Sequence, residues 1–518
     1  MHSLIPILFL LMSQGTAVAP LEFPAACSAN AHQRFVQGVI KLHNSAYDEA
    51  AELFRSAQQL DPQCVMAVWG EAMSFNHPFW GEQDIAGGRK ALAKLGATRS
   101  ARIAKAANAR ERAYLNAAEI LYGDGDKDVR DYGYVEAMKK TAFDNPADYE
   151  AAAFYASAIL GTIRLTDPDD SKREVAASLL KAILAKYPDH PGALHYLIHA
   201  YDDPAHSAQA LEAARHYEKV ADQNFHAMHM PSHIYVQLGM WSDAARSNDA
   251  AYNASDRYVV GRKLSVAKRD YHSLDWLQYI DLQLGQYAKA KSKIETVVTS
   301  SRQAAVPGMM VLAGEMAARY AVETEQWDVL TPYAVNPRSP KLLLAHGLAG
   351  VRKGNPSVAR TIASTLESLV QQSLADGARI RSQQIDTLRK ELLAELAFAE
   401  KRPQDAERFA MEAAQIEANL KIPSLLEQGG AVKPAVEFYA EMLMRLNKPA
   451  AAVDQFKASL KLTPKRALSL LGLARALKAQ GDMAAAKDVY RELAAIWENA
   501  DSGLAAVQEA RSGAGATP

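Results

Sequence analysis

An excess of either charge is what this sequence lacks first. Lys and Arg total 58 against 59 Asp and Glu over 518 residues, and no basic patch gathers anywhere along the chain. Nucleic acid is therefore not an expected partner, because phosphate binding draws on clustered Lys and Arg. Long apolar runs are missing too. Leu4–Met12 has nine residues, far short of the roughly 20 that cross a bilayer, and no later segment is apolar enough, so no membrane span is expected in the mature chain. Alternating stretches of the β type are scarce while Ala, Leu, Glu and Lys dominate, which points to an all-α protein. No G-x-S-x-G elbow offers a nucleophilic serine. Gly87-Gly88 is too isolated to cradle a phosphate. Asp124, Asp126 and Asp128 precede Val129 and Val135, where a calcium loop needs glycine and glutamate.

Cysteine is limited to Cys27 and Cys64. The two bracket one helix pair, so a bridge between them would staple the N-terminal end, a contribution typically of about 2–4 kcal/mol. Such a bridge suits an oxidising compartment. The N-terminus agrees with one: the Leu4–Met12 run followed by Ala17-Val18-Ala19 reads as a signal peptide over 1–19, with small residues at the cleavage site. No Lys or Arg precedes the run and Pro20 follows the cut, two departures from the usual pattern. The expected location is periplasmic or secreted.

What is present is histidine, concentrated. Eight of fourteen (His190, His195, His199, His206, His216, His226, His229 and His233) fall within 190–233. His195 and His199 are four apart and share a helix face. His229 and His233 repeat that pair 34 residues on, and Tyr201 and Tyr235 keep the same offset. A 34-residue period is the length of one helix–turn–helix repeat, so two neighbouring helices would show the same histidine pair on the same face.

The repeat is clearest in 31–62, where Gly38, Ala50, Phe54, Ala57 and Pro62 supply small, aromatic and terminating residues, and in 435–497, where Ala452 and Phe456 recur as Ala486 and Tyr490. Small residues let antiparallel helices approach, an aromatic fills the gap, and proline stops the second helix. These markers resemble the tetratricopeptide (TPR) family over most of the chain. The phrases HYLIHAYDDP, HAMHMPSHIYVQLGMW and YHSLDWLQY are similar to a group of exported bacterial TPR proteins to which no activity attaches. The resemblance implies a right-handed α-solenoid of helix-turn-helix repeats. On it we expect a signal peptide at 1–19, an N-terminal array with the histidine cluster over 20–300, and degenerate helical repeats with a loop at Lys421–Lys433 over 301–430. A C-terminal repeat pair over 431–500 and a flexible tail over 501–518 would follow. Residues 259–270 fit no repeat.

In such arrays the first helix of each repeat lines the concave groove. The resemblance places His195, His199, His226, His229 and His233 there, with Asp203 at the matching place in its own repeat. His43 and His77, also 34 apart, and His272 match groove places as a second tier, with Tyr201 and Tyr235 beside them. Imidazoles on adjacent helices about 8–10 Å apart can converge on one ion. Neither pair carries the glutamate of H-E-x-x-H, which excludes a zinc-protease reading. Nitrogen ligation beside a carboxylate suits Cu, Zn, Fe or Ni. Pro231 inside the second pair requires either a kink or a helix start near Met230. Two functions follow from this pattern: an exported protein whose groove binds a transition metal for metal-dependent chemistry or handling, or a scaffold that binds a peptide or helix without metal, its histidines adding hydrogen bonds and a pH response.

Overall fold

The structure, a computed structural model, describes residues 21–163, 170–221, 224–336, 339–420 and 432–515. The expected signal peptide and all but the end of the Lys421–Lys433 loop lie outside them. Helices follow one another from Ala29–His43 to Ala505–Gly513, and the only strands among the described residues are the two-residue arms Asn76–His77 and Glu82–Gln83. Each helix packs mainly on its predecessor and successor, the nearest-neighbour pattern of a repeat solenoid.

The markers read from sequence act as expected. The ring of Phe54 occupies the space where Gly38 and Gly70 would carry a Cβ, at 2.7 and 2.3 Å. Phe456 does the same to Gly472 at 2.1 Å and Tyr490 to Gly513 at 2.3 Å. A methyl at any of these positions would have to push an aromatic out of the interhelical gap. Cys27 and Cys64 form a disulfide that ties the segment before the first helix to the end of the second.

The structure adds detail to four expectations. The middle, 301–430, keeps the helical period without the repeat markers. It holds Met309–Thr324, Pro340–Arg352, Pro356–Ala375, Arg379–Ala399 and Pro403–Leu420, several of them 18–21 residues long. Longer helices shift the 34-residue register, so the markers fade while the pairing persists. Residues 259–261 finish the 21-residue helix Trp241–Gly261, and a 3-10 turn at Val266–Lys268 follows. The tail carries a helix, Ala505–Gly513, with Val507 and Ala510 buried. Pro231 opens a new helix, Pro231–Gln237, directly after the short helix Phe225–His229 that Asn224 caps. Proline has no N–H to continue the first helix and suits the first turn of the second.

The array also folds back on itself. The backbone carbonyl of Lys465 accepts from the Trp241 indole at 2.9 Å, the carbonyl of Gln283 accepts from Trp497 at 3.0 Å, and the Asp501 amide donates to the Gly285 carbonyl at 3.0 Å. Arg466, fully buried, forks onto Glu437 at 2.7 and 2.9 Å, donates to Tyr279 Oη at 3.2 Å and pairs with Glu323. The C-terminal repeats thus sit against the helices that follow the histidine segment.

Candidate metal centre

Three elements carry His195, His199, His226, His229 and His233. Pro191–Ala200 begins with proline at its first position and His190 as its cap; Phe225–His229 and Pro231–Gln237 flank the proline break. A fourth, Tyr271–Gln283, brings His272 and Trp276. Their imidazoles gather into two triads: His195, His199 and His226, and His229, His233 and His272, the ligand atoms within each lying no more than 4.8 Å apart.

The hydrogen bonds behind the rings fix what the rings present. In the second triad His229 Nδ1 lies 2.7 Å from Asn248 Oδ1, and the Asn248 amide is held the right way round because its Nδ2 donates to the Ala244 carbonyl at 2.9 Å. His233 Nδ1 lies 2.6 Å from Asp202 Oδ2. Both oxygens only accept, so both Nδ1 atoms carry the proton. Neutral rings then turn their Nε2 lone pairs toward each other, and these atoms are 3.0 Å apart. In the first triad one ring, His195, is held the same way. His195 Nδ1 donates to the His43 carbonyl at 2.6 Å, and its Nε2 faces His199 Nε2 at 3.1 Å and His226 Nε2 at 3.2 Å.

Facing lone pairs at this distance repel unless a proton or another cation sits between them. Burial opposes the proton. It pushes His195 down to about 3 and, with the neighbouring imidazoles adding to it, holds His199, His226 and His229 well below the ordinary histidine range. A metal ion fits instead: two nitrogens at about 2.0–2.1 Å from one ion and near a right angle or tetrahedral angle lie about 2.9–3.4 Å apart. An imidazole whose other nitrogen is committed to a carboxylate or carbonyl is how proteins orient such ligands.

A third group shows the contrast. His43, Glu150 and His190 are also close and all buried. There every polar atom has a conventional partner. The Ala193 amide donates to His190 Nδ1 at 3.1 Å, so His190 Nε2 holds the proton and donates to Glu150 Oε1 at 3.1 Å. His43 Nε2 meets Glu150 Oε2 at 2.7 Å, and its Nδ1 accepts from Tyr196 Oη at 2.9 Å. Burial would raise the Glu150 carboxyl, but the two imidazoles beside it prevail and hold it down to about 2. This is a closed hydrogen-bonded knot that supports the first triad through the His43 carbonyl.

Aromatic rings wall both triads. Phe79 stacks on His199 at 4.0 Å and Tyr217 on His195 at 5.7 Å, while Trp80, half exposed, covers His226 at 5.0 Å. Phe79 and Trp80 belong to the 3-10 turn Pro78–Trp80 between the two short strands, so the chain's own loop closes over this face. Trp276 lies 4.5–5.5 Å, centroid to centroid, from all three rings of the second triad, and its buried indole N–H has no hydrogen-bond partner among the described residues. His272 is exposed, which leaves the second triad open to solvent.

The remaining expected residues lie elsewhere. Asp203 turns its carboxylate to His206 Nδ1 at 2.8–2.9 Å and to the turn backbone; its neighbour Asp202 is the carboxylate behind the histidines. His77 stacks on Tyr47 at 3.9 Å, away from both triads, and His43 belongs to the knot. Tyr201 Oη contacts Glu174 and Lys181, and Tyr235 Oη donates to Glu218. Sequence reasoning missed Asn248, Trp276 and Tyr217 and did not single out Asp202 as the carboxylate behind His233. An aspartate 31 residues before a histidine or an asparagine one repeat-helix later carries no local signature.

No family model matches the chain, and no curated protein matches it. Among solved structures it is similar to the TPR domain of P58(IPK), at 14% identity over 88% of this chain and 99% of that one with a TM-score of 0.23. It is similar to yeast Tom70 at 14% identity, 94% and 96% coverage and a TM-score of 0.29. A monomeric mutant of IFIT1 with Gppp-AAAA gives 11% identity, 94% and 97% coverage and a TM-score of 0.37.

Proposed function

We propose that this protein is an exported repeat protein that binds a first-row transition metal through the histidines at its centre. One observation carries the reading: the Nε2 lone pairs of His229 and His233 converge at 3.0 Å while both Nδ1 protons are committed to Asn248 and Asp202. Three neutral imidazoles per triad, with no thiolate among the candidate ligands, suit Cu, Zn, Ni or Fe rather than Mg or Ca. Three nitrogens also leave coordination positions open, the arrangement a metal needs to act as Lewis acid or redox centre. The Cys27–Cys64 bridge supports the periplasmic or secreted location that the N-terminal sequence suggests. No helix among the described residues is long and apolar enough to cross a membrane.

An extended peptide at the first triad would have to displace Phe79, which stacks on His199 there. The test is elemental analysis of protein produced through its own export route, without a histidine tag and without chelator. The expected result is near-stoichiometric metal that disappears in the His229→Ala, His233→Ala double variant. Metal-free protein that takes up none of these four ions at micromolar concentration would overturn the reading.

A further inference from the structure

The six histidines cannot serve one ion. Trans ligands on a single ion with bonds of about 2.1 Å are at most about 4.2 Å apart. The rings here form two separate groups, each within 4.8 Å internally. Yet the groups abut. His199 and His233, from different triads, have ring centroids 5.9 Å apart, and His226 and His229, three residues apart on one short helix, have centroids 6.3 Å apart. Two cations seated on the Nε2 sides of these rings would be neighbours across the proline break.

Charge decides what must lie between them. Two divalent ions bring four positive charges. The candidate ligands are all imidazoles, and among the described residues the carboxylate hydrogen-bonded to one of the six through a ring nitrogen is Asp202, on His233. Like charges at close range in a buried site repel strongly. A small anion shared by both ions offsets that repulsion and fills the positions that three nitrogens leave open. Trp276 adds an independent pointer: its ring centroid lies 4.5–5.5 Å from every ring of the second triad, and its buried indole N–H has no acceptor among the described residues.

We infer that the protein holds a dinuclear centre, one ion in the His195–His199–His226 seat and one in the His229–His233–His272 seat, bridged by a small anionic oxygen or nitrogen donor such as hydroxide. The inference rests on the metal-binding reading above and extends it to two ions and a shared exogenous ligand. The exposed His272 marks the side from which that ligand enters.

The experiment is reconstitution of the full chain with Cu(II), a count of bound copper per chain, and electron paramagnetic resonance with azide as the probe anion. The expected result is two ions per chain, a resonance signal largely lost through coupling across the shared ligand, and an optical band that shifts on adding azide. His272→Ala, at an exposed position, and His199→Ala should each reduce the content to one ion and restore the full single-copper signal. One ion per chain in the unmodified protein overturns the dinuclear centre and leaves the metal reading standing. Two ions with the full two-spin signal overturn the shared ligand. No copper at all overturns the dinuclear centre, and if Zn, Ni and Fe are not taken up either, the metal reading falls with it.

Discussion

Asp202→Asn separates the two neighbouring aspartates that sequence could not rank. The Asp202 carboxylate is nearly buried, accepts from His233 Nδ1 at 2.6 Å and from Gln237 Nε2 at 3.1 Å. Burial would raise its pKa, but His233 and these hydrogen bonds win and hold it below the ordinary aspartate value, so it is ionised at neutral pH. Asparagine keeps the shape and one acceptor but removes the charge that makes the His233 Nε2 a stronger donor to metal. Losing such a partner typically costs 10–100-fold in metal affinity, about 1.4–2.8 kcal/mol. Competition against a chelator of known affinity measures it, and the weakening should fall on one of two binding steps, the seat containing His233. With metal in excess, the gap in melting temperature between loaded and metal-free protein should narrow accordingly. Asp203→Asn is the control, since Asp203 serves His206 and its own turn; its affinity should match the unmodified protein. Equal affinity in Asp202→Asn, or a loss in Asp203→Asn instead, would show that the carboxylate behind His233 does not orient a ligand.

Three more expectations follow. The metal-free protein should lose stability as pH falls. Its buried histidines titrate below their unfolded value of about 6.5, His195 down to about 3, so the unfolded chain binds more protons across that window and each such group adds up to about 1.4 kcal/mol per pH unit. Urea midpoints taken from pH 7 to pH 4 should drop, and a flat profile would contradict the buried, neutral state of the cluster. Replacing Cys27 and Cys64 together by serine removes a closure spanning 37 residues; loop entropy puts the cost at about 4 kcal/mol, readable by denaturant unfolding, and no change would mean the unfolded N-terminal segment is already constrained. Arg466→Met leaves buried Glu323 without its ion-pair partner and Glu437 with Lys433 at 4.0 Å in place of a bonded guanidinium, a loss of about 3–5 kcal/mol. Limited proteolysis should then cut within 435–500 first, and an equally resistant variant would mean that these carboxyls take up protons at no cost.

The sequence period singled out His195, His199, His229 and His233, whose rings face each other in pairs, because i,i+4 pairs in 34-residue register are a local signal. It could not find how they divide. His226 joins the pair on the preceding repeat, not His229 three residues later, because Pro231 ends one helix and starts another and so reorients the chain between the pairs. His272 completes the second triad from a helix whose start is shifted by the long Trp241–Gly261 helix. Asp202 replaces Asp203 because the helix stops at Ala200 and the turn beyond it, not a helical face, sets which carboxylate points inward. His43 and His77 show the reverse failure: the same spacing, yet one enters a buried knot and the other a two-residue strand. The repeat markers made the helix pairs legible at both ends, and they faded where helices lengthened.

The return of the C-terminal repeats has a consequence in time. The helices holding His233, His272 and Trp276 are braced from behind by contacts from Pro464–Asp501 to Trp241, Tyr279, Gln283 and Gly285. The first triad leans in turn on a carbonyl from the first helix. Residues from near both ends of the chain must therefore be in place before the central rings are held as a set. The order of synthesis then becomes an order of assembly. On the proposed export, the last repeats would reach the far side of the membrane after the histidines do, so the seats would acquire their final shape in the compartment where the chain comes to rest, and would meet the ions available there.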